Sequence, residues 1–164
     1  MAPKIEKCGM DGDPTSRKAI ITKDIIWPNA LTVDYTIDRI WWADAKRHVI
    51  EHCDLNGENR KVILTKEHVY HPFSISVFED HVYWTDWIKL SISKVNKFTG
   101  ENWTLLKENL LHPMGISVIH PQRQPAGTVY SLYRYTCSLL NTYPNQSTIN
   151  KFGTFTPKPS SHHK

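Results

Sequence analysis

The chain repeats itself with a period of 41 to 45 residues, and this repeat constrains the fold more than any other feature. A short segment that reaches a proline begins each unit, with the prolines at Pro28, Pro72 and Pro113. Between them, Ile40-Trp41-Trp42-Ala43-Asp44 matches Val82-Tyr83-Trp84-Thr85-Asp86 at a shift of 42 residues. Segments of different types in the same order at one period indicate a repeat architecture, in which each unit packs against its neighbours.

Each unit has the pattern of four short antiparallel strands. Apolar residues alternate with polar ones around Leu31 and Val33, and again around Val62 and Leu64, which is typical of half-buried strands. Asn56-Gly57 is a hairpin dipeptide, because glycine tolerates the positive φ of a tight turn. No long window has a helical period with caps. A four-stranded unit of 41 to 45 residues has the size of a propeller blade.

Composition excludes several classes of protein. Of the 164 residues, 40% are hydrophobic and 22% are charged, which is typical of a globular chain. No apolar run approaches the roughly 18–20 residues of a membrane-spanning helix, and the first residues lack the apolar core of a secretory signal. The net charge of +4 comes entirely from residues 126–164, because 16 basic and 16 acidic residues cancel over residues 1–125. No basic face for nucleic acid is therefore predicted.

The chain resembles the low-density lipoprotein receptor-related family in its class B, or YWTD, repeats. Tyr83-Trp84-Thr85-Asp86 is the signature of these repeats, and Trp41-Trp42-Ala43-Asp44 is a variant of it. Other family-like segments are Trp27-Pro28-Asn29, His71-Pro72-Phe73, Phe78-Glu79-Asp80 and residues 54–61, 96–100 and 120–125. The resemblance implies an all-β fold, a partial six-bladed propeller over residues 5–125. It contains about two full four-stranded antiparallel blades and partial blades, with a last strand over about 111–119.

Residues 126–164 contain no member of the repeat, and the EGF-like module that follows the propeller in the family is replaced by a stretch with a single cysteine. We expect this tail to be unrelated to the family and poorly ordered. A gene-model or splicing error, which would make the product truncated and non-functional, is the expected origin. A genuine shortened isoform is the alternative.

The resemblance implies a non-catalytic extracellular protein-binding module of a plasma-membrane receptor, acting in endocytosis or in Wnt- or agrin-type signalling. The implied partners are protein ligands and neighbouring EGF-like or ligand-binding modules of the parent receptor. The open flanks of a partial propeller also predict a need for a folding chaperone. A hydrolase-like enzyme on a propeller scaffold is the alternative, although no Ser/His/Asp signature, nucleophile elbow or metal triad is present. No cofactor, catalytic residue or metal ligand is predicted.

We predict a structural role for the motif residues Trp41, Trp42, Asp44, Tyr83, Trp84, Thr85 and Asp86. A period of two puts Tyr83 and Thr85 on one face of a strand and Trp84 and Asp86 on the other. In the family such residues pack between blades, and the acid is expected to accept a buried hydrogen bond. The two acids occupy equivalent places in different units, so they are not expected to pair as catalytic carboxylates.

Two histidines are candidates for a pH-dependent switch. The segments around His48 and His71 resemble those whose histidines hold ligand-binding modules on the propeller of the low-density lipoprotein receptor at endosomal pH. Imidazole titrates near pH 6.5, so it gains charge between the cell surface and an acidified vesicle. Alternatively, His48 is an exposed loop residue beside Lys46 and Arg47, whose charges oppose protonation, and His71 fills a strand entrance.

Three further positions carry chemistry of their own. Asn102-Trp103-Thr104 fits the N-glycosylation pattern, which makes Asn102 a candidate if the chain is secreted. A second match at Asn145 lies in the tail and is interpreted as chance.

Cys8 and Cys53 occupy equivalent places in neighbouring units, which disfavours a disulfide between them. We predict both as small buried apolar residues.

Overall fold

The computed structural model describes residues 2–11 and 13–120, so the whole of the predicted tail, and Asn145 with it, lies outside the described residues. The strands in these ranges are β1 (Ile5–Lys7), β2 (Lys18–Ile21), β3 (Pro28–Asp34), β4 (Arg39–Asp44), β5 (Val49–Asp54), β6 (Lys61–Leu64), β7 (Pro72–Phe78), β8 (His81–Asp86), β9 (Ser91–Asn96) and β10 (Thr104–Lys107). The helical content described is one turn of 3-10 helix at Pro14–Ser16. No helix of residues 2–11 or 13–120 has the length and apolar character to cross a membrane.

The strands form three antiparallel sheets within the described ranges. β3-β4-β5-β6 and β7-β8-β9-β10 are four-stranded meanders, here called the first and second blades. β1 and β2 form a two-stranded sheet, the half-blade, and they correspond in the repeat to β5 and β6. The half-blade therefore contains the two outer strands of a unit. These sheets confirm the prediction of an all-β partial propeller with two whole blades.

Two adjacent tryptophans of β4 face opposite sides of the first blade. Trp41 belongs to the apolar core shared with the second blade, where Trp84 is its largest partner. Trp42 belongs to the core shared with the half-blade, together with Ile5 and Ile21. Both indoles are fully buried. Because burial of a large apolar side chain is worth roughly 1.5–3 kcal/mol, these contacts are the main attraction between neighbouring blades.

Arg60 links the first blade to the half-blade through polar contacts. Its guanidinium donates to the carbonyl oxygens of Lys23, at 2.7 Å, and Asp24, at 2.6 Å. The same group forms an ion pair with the fully buried Glu51, whose other oxygen pairs with Arg47. The buried carboxylate is therefore satisfied by two cations, which removes most of the penalty of burying its charge.

The inner strands β3 and β7 pack side by side, and both begin at the same end of the blades. Pro28 and Pro72 start these strands opposite Asp44 and Asp86, which end β4 and β8. We call this the upper end. The lower end carries the β3–β4, β5–β6, β7–β8 and β9–β10 turns.

Residues 111–119, predicted as a last strand, form no strand in the structure. They cross the face of the second blade instead. The Ile116 N–H donates to the Ser74 hydroxyl, at 3.1 Å, and the Thr85 hydroxyl donates to the Met114 carbonyl oxygen, at 2.8 Å. The backbone of this segment bonds to side chains on the face of the sheet, and none of the described strands lies beside it to form a ladder.

Candidate functional site

The acid of the repeat motif holds the upper end of each whole blade together. Asp44 is fully buried and accepts backbone N–H bonds from Ile26, at 2.7 Å, and Trp27, at 3.2 Å, in the loop before β3. It also accepts from Lys46 and Arg47, both at 3.0 Å, in the turn after β4. Asp86 makes the equivalent bonds in the second blade, to Tyr70, His71, Ile88 and Lys89. Each carboxylate thus fixes the loop that enters its blade to the turn that follows β4 or β8.

A cluster of aromatic rings lies at the upper end that these carboxylates fix, and we call it the aromatic platform: Trp27, His71, Phe73, Trp87 and His112. Trp87 is at its centre. The Trp87 ring stacks with Phe73, with centroids 4.6 Å apart and planes at 8°, and with His71, at 5.8 Å and 12°. The His112 ring meets Trp87 edge-on at 6.2 Å, and the Trp27 ring lies 6.4 Å from His71.

Three platform residues occupy the same place in successive repeats. Trp27, His71 and His112 each come directly before the proline that begins a unit. Backbone N–H bonds to Asp44 and Asp86 hold Trp27 and His71 in place, and His112 has a left-handed φ of 45°. Trp87 directly follows the repeat motif, and its Nε1 donates to the Pro113 carbonyl oxygen at 2.9 Å. The rings are therefore held by backbone geometry and by a hydrogen bond, rather than by burial alone.

The border of the platform is basic and its surface is open. Trp27 is 50% exposed, and His112 is exposed as well. Lys46 Nζ lies 5.3 Å from the Trp27 ring centroid, and Lys89 Nζ lies 4.1 Å from the Tyr70 centroid. Exposed aromatic rings beside cations are typical of surfaces that bind proteins, because aromatic residues are enriched in interface cores.

The structure places the two candidate switch histidines at one loop. His48 has a left-handed φ of 57°, and its Nδ1 lies 2.5 Å from the Tyr70 carbonyl oxygen. Because a carbonyl oxygen only accepts, this nitrogen carries the proton of the bond. His71 directly follows Tyr70 in this loop and belongs to the platform. His48 and Tyr70 also line a shallow open cavity with Lys66 and Glu67.

The remaining motif residues lie between the blades or on the opposite face of β8, which the segment of residues 111–119 partly covers. Trp84 is fully buried against the first blade. Tyr83 and Thr85 occupy the other face of β8, and Thr85 contacts the segment of residues 111–119 through Met114. Burial, followed by the nearby Glu79 carboxylate, raises the pKa of the Tyr83 hydroxyl. Within residues 2–11 and 13–120, no group of three or more His, Cys, Asp or Glu side chains is arranged to hold a metal ion.

Sequence reasoning missed four members of the platform: Trp27, Phe73, Trp87 and His112. Trp27, Phe73 and His112 fall in family-like or repeated segments, and Trp87 directly follows the repeat motif. The signal that identifies three of the five platform positions is the repeat itself, since the residue before each unit's proline is a large ring every time. Rings that recur before each unit's proline meet at the upper end once the blades pack side by side.

Comparisons with known proteins agree with this architecture. The family model for the low-density lipoprotein receptor repeat class B matches residues 2–35, 38–79 and 80–120. Low-density lipoprotein receptor-related protein 4 of Homo sapiens is 52% identical over 84 residues, which cover 51% of this chain and 4% of that protein. The vitellogenin receptor of Solenopsis invicta is 35% identical over 123 residues, which cover 75% of this chain and 7% of that protein.

Among solved structures, the crystal structure of a nidogen/laminin complex contains a similar chain. It matches with a TM-score of 0.56 and 26% identity over 67% of this chain and 39% of that chain. The chain thus spans less than a tenth of either receptor and well under half of the solved chain.

Proposed function

The chain belongs to the family of low-density lipoprotein receptor class B repeats, and from this premise we propose that it is a non-catalytic extracellular module whose upper end binds protein ligands. The observation that carries the proposal is the aromatic platform. One relative is named as a receptor and another as a receptor-related protein, and the similar solved chain comes from a nidogen/laminin complex. These names support a protein, rather than a small molecule, as the ligand.

The geometry of the platform favours binding by a short peptide segment. Asp44 fixes the loop that carries Trp27, and Asp86 fixes the loop that carries His71. Little conformational entropy of these two loops is therefore lost when a ligand binds. The half-exposed Trp27 offers a rigid apolar surface, and tryptophan is the residue type most enriched at binding hot spots. Lys46 and Lys89 at the border favour a ligand that places an acidic residue beside an apolar one.

The alternative of a hydrolase-like enzyme has no comparable support. The two motif acids each accept four backbone N–H bonds and are buried, so neither carboxylate is open to a substrate. They also lie in different blades, at the ends of β4 and β8. Neither acid is placed as a general base beside a nucleophile.

His48 and His71 are included in the proposal as pH-sensing residues of the bound state. His71 would gain charge within the platform, between Trp27 and Trp87. His48 faces Lys66, Glu67 and the Tyr70 carbonyl, so its protonation would add charge beside the loop that carries His71. Acidification from about pH 7.4 to about 5.5 therefore changes the charge at the binding surface.

The wider partners follow from the family and from an open strand edge. We assign the module to a plasma-membrane receptor that acts in endocytosis or in Wnt- or agrin-type signalling, beside EGF-like or ligand-binding modules. Within the described residues, the half-blade has only two strands, so β1 presents an edge with no further strand beside it. An unpaired strand edge of this kind supports dependence on a folding chaperone.

Selection of displayed peptides tests the proposed binding surface. A random peptide library is selected on the immobilised full chain, and selected peptides are measured on Trp27→Ala and Trp87→Ala. We expect affinity to fall at least about tenfold, which is about 1.4 kcal/mol. Tyr35→Ala is the matched control, since Tyr35 is 81% exposed at the lower end. Peptides that lose affinity on the control, or on none of the three variants, would contradict the proposal.

A further inference from the structure

The turn between β9 and β10 contains an Asn-x-Thr pattern, which lies away from the aromatic platform at the upper end. Asn102-Trp103-Thr104 has the Asn-x-Thr pattern of an N-glycan acceptor. Asn102 is exposed, with a left-handed φ of 58° that asparagine tolerates. The Thr104 hydroxyl, also exposed, donates to the Asn102 carbonyl oxygen at 3.2 Å. Among the described residues, the Asn102 carboxamide itself makes no side-chain hydrogen bond.

The equivalent turn of the first blade differs in how its asparagine side chain is held. Asn59 occupies the same place with φ 52°, but its Nδ2 donates to Asp54 Oδ2 at 3.1 Å. In the second blade Asn96 takes the place of that aspartate, and its side-chain oxygen accepts from backbone N–H groups of its own turn. Asn102 is therefore not held by the residue that holds Asn59.

The middle residue of the pattern is turned away from the acceptor. The Trp103 ring stacks on His68, with centroids 5.1 Å apart and planes at 15°, so it faces the first blade. Arg60 occupies the equivalent position one unit earlier and reaches back to the half-blade in the same way. Asn102 and Thr104, on either side of Trp103, are both exposed. The amide and the hydroxyl of the pattern are both open to a modifying enzyme.

We propose that Asn102 is an N-glycosylation site whose glycan projects from the outer rim of the second blade. Asn102 Nδ2 bonds to C1 of the first N-acetylglucosamine of a lipid-linked oligosaccharide and loses one proton. The bond from C1 to the lipid pyrophosphate breaks, and the pyrophosphate leaves with the electron pair. The site requires the secretory pathway, so the inference rests on the extracellular placement in the proposed function.

The position of the site keeps a glycan clear of both the sheet and the platform. β10 is an edge strand of its sheet, so a group on the preceding turn interrupts no ladder within it. β10 runs antiparallel to β9, with Thr104 opposite Lys94 and Lys107 opposite Ile92. The turn that joins the end of β9 to the start of β10 therefore lies at the lower end. The aromatic platform lies at the opposite end, around Trp87. A glycan at Asn102 therefore leaves the upper end open to ligands.

Expression of the full chain in human cells behind a heterologous signal peptide tests the site. Every variant carries Asn145→Gln, so that the second match in the tail does not contribute. Digestion with peptide N-glycosidase F is expected to shift the N145Q chain by one glycan and to leave N102Q/N145Q unshifted. Thr104→Ser is expected to keep the shift, because serine retains the hydroxyl. Thr104→Val, which keeps the shape but not the hydroxyl, is expected to abolish it.

An N145Q chain that does not shift on digestion overturns the proposal, and so does an N102Q/N145Q chain that still shifts. The position of the glycan away from the platform is tested separately, by measuring peptide affinity with and without the glycan. A platform-selected peptide is expected to bind the glycosylated and the natively deglycosylated chains with equal affinity, and a gain on deglycosylation contradicts the rim placement. Occupancy is measured without any ligand, so a failure of glycosylation is distinguishable from a failure of the proposed binding function.

Discussion

Lys97 forms an ion pair with Asp34 across the junction of the two whole blades, with Nζ 2.7 Å from Oδ2 and side chains only 3% and 4% exposed. Nζ also lies 3.3 Å from the Thr36 hydroxyl oxygen. Burial acts to raise the pKa of the Asp34 carboxyl, but hydrogen bonds from Lys97 and Thr36 outweigh it and lower the pKa below its usual value. The junction thus contains a buried charge pair at its lower end, where β3 ends.

Removing one partner of this pair is expected to destabilise the blade junction strongly. Lys97→Met leaves the Asp34 carboxylate buried without its cation, which typically costs about 3–5 kcal/mol. We expect Asp34→Leu/Lys97→Met to recover much of this loss, because the two changes are coupled. Urea unfolding followed by tryptophan fluorescence measures both, with the exposed Lys66→Met as the control. Equal midpoints for Lys97→Met and Lys66→Met would show that the pair contributes nothing.

Two glycines of the lower end are expected to tolerate no side chain. A Cβ on Gly57 would lie 2.3 Å from the Ile20 carbonyl oxygen, and one on Gly100 would lie 2.6 Å from that of Ile63. Both have positive φ, 90° and 74°. Gly57→Ala and Gly100→Ala should therefore each lower the free energy of unfolding by about 1–3 kcal/mol, by pushing adjacent blades apart.

Gly115→Ala is the matched control, since a Cβ there would meet no atom within 4 Å. Its urea midpoint should stay close to that of the unmodified chain. If Gly100→Ala behaves like Gly115→Ala, the close approach of turn and neighbouring blade is not present in solution.

Stability is expected to fall in mild acid because of His52. Its ring lies 4.6 Å from that of Trp41, and burial, then the charges of Arg39 and Lys61, lower its pKa to about 4. An unfolded histidine titrates near 6.5, so between these values the unfolded chain binds more protons. The contribution of His52 is thus present above about pH 6.5 and is lost as the pH falls toward about 4.

His52→Gln should flatten this dependence in urea unfolding measured at several pH values. The exposed His112→Gln serves as the comparison, since His112 lies outside the apolar cores. If the free energy of unfolding depends on pH to the same extent in both variants, the acid sensitivity belongs to other groups.

The pH-sensing proposal predicts a change in ligand release. For a peptide selected on the platform, we expect dissociation from the full chain to differ between about pH 7.4 and about 5.5. His48→Ala/His71→Ala should remove most of that difference, because it removes both rings near the Tyr70 loop. His68→Ala, which alters the stack with Trp103 instead, is the control. An undiminished pH effect in the double variant would reject the two histidines.

Much of the fold was predictable because propeller strands carry local patterns. Alternation along β4 and β8, the repeated motif and the glycine turns are all properties of neighbouring residues. Two expectations failed where the outcome depends on what packs alongside. Residues 111–119 form no strand, and Cys8 is exposed while its repeat partner Cys53 is buried. Cys53 lies on the face of β5 that the half-blade covers, whereas Cys8 follows the last residue of β1.

The candidate binding site was less predictable, since its members are far apart in the chain. Trp27 and Trp87 come from different units and meet only through His71, which lies between them. No local pattern reports a distance of 6.4 Å between residues 44 positions apart. By contrast, the role of Asp86 followed from its place in the motif, because a buried acid at a strand end must accept hydrogen bonds.

The place of a ring before each unit's proline has an evolutionary consequence. Trp27, His71 and His112 each contribute one side chain to the platform, while the apolar cores are built by other residues of the same units. Under the proposed function, the residues that determine ligand specificity and the residues that determine folding are therefore different. Duplicated units that diverge at the position before the proline would then differ in their ligands while they keep the same apolar cores.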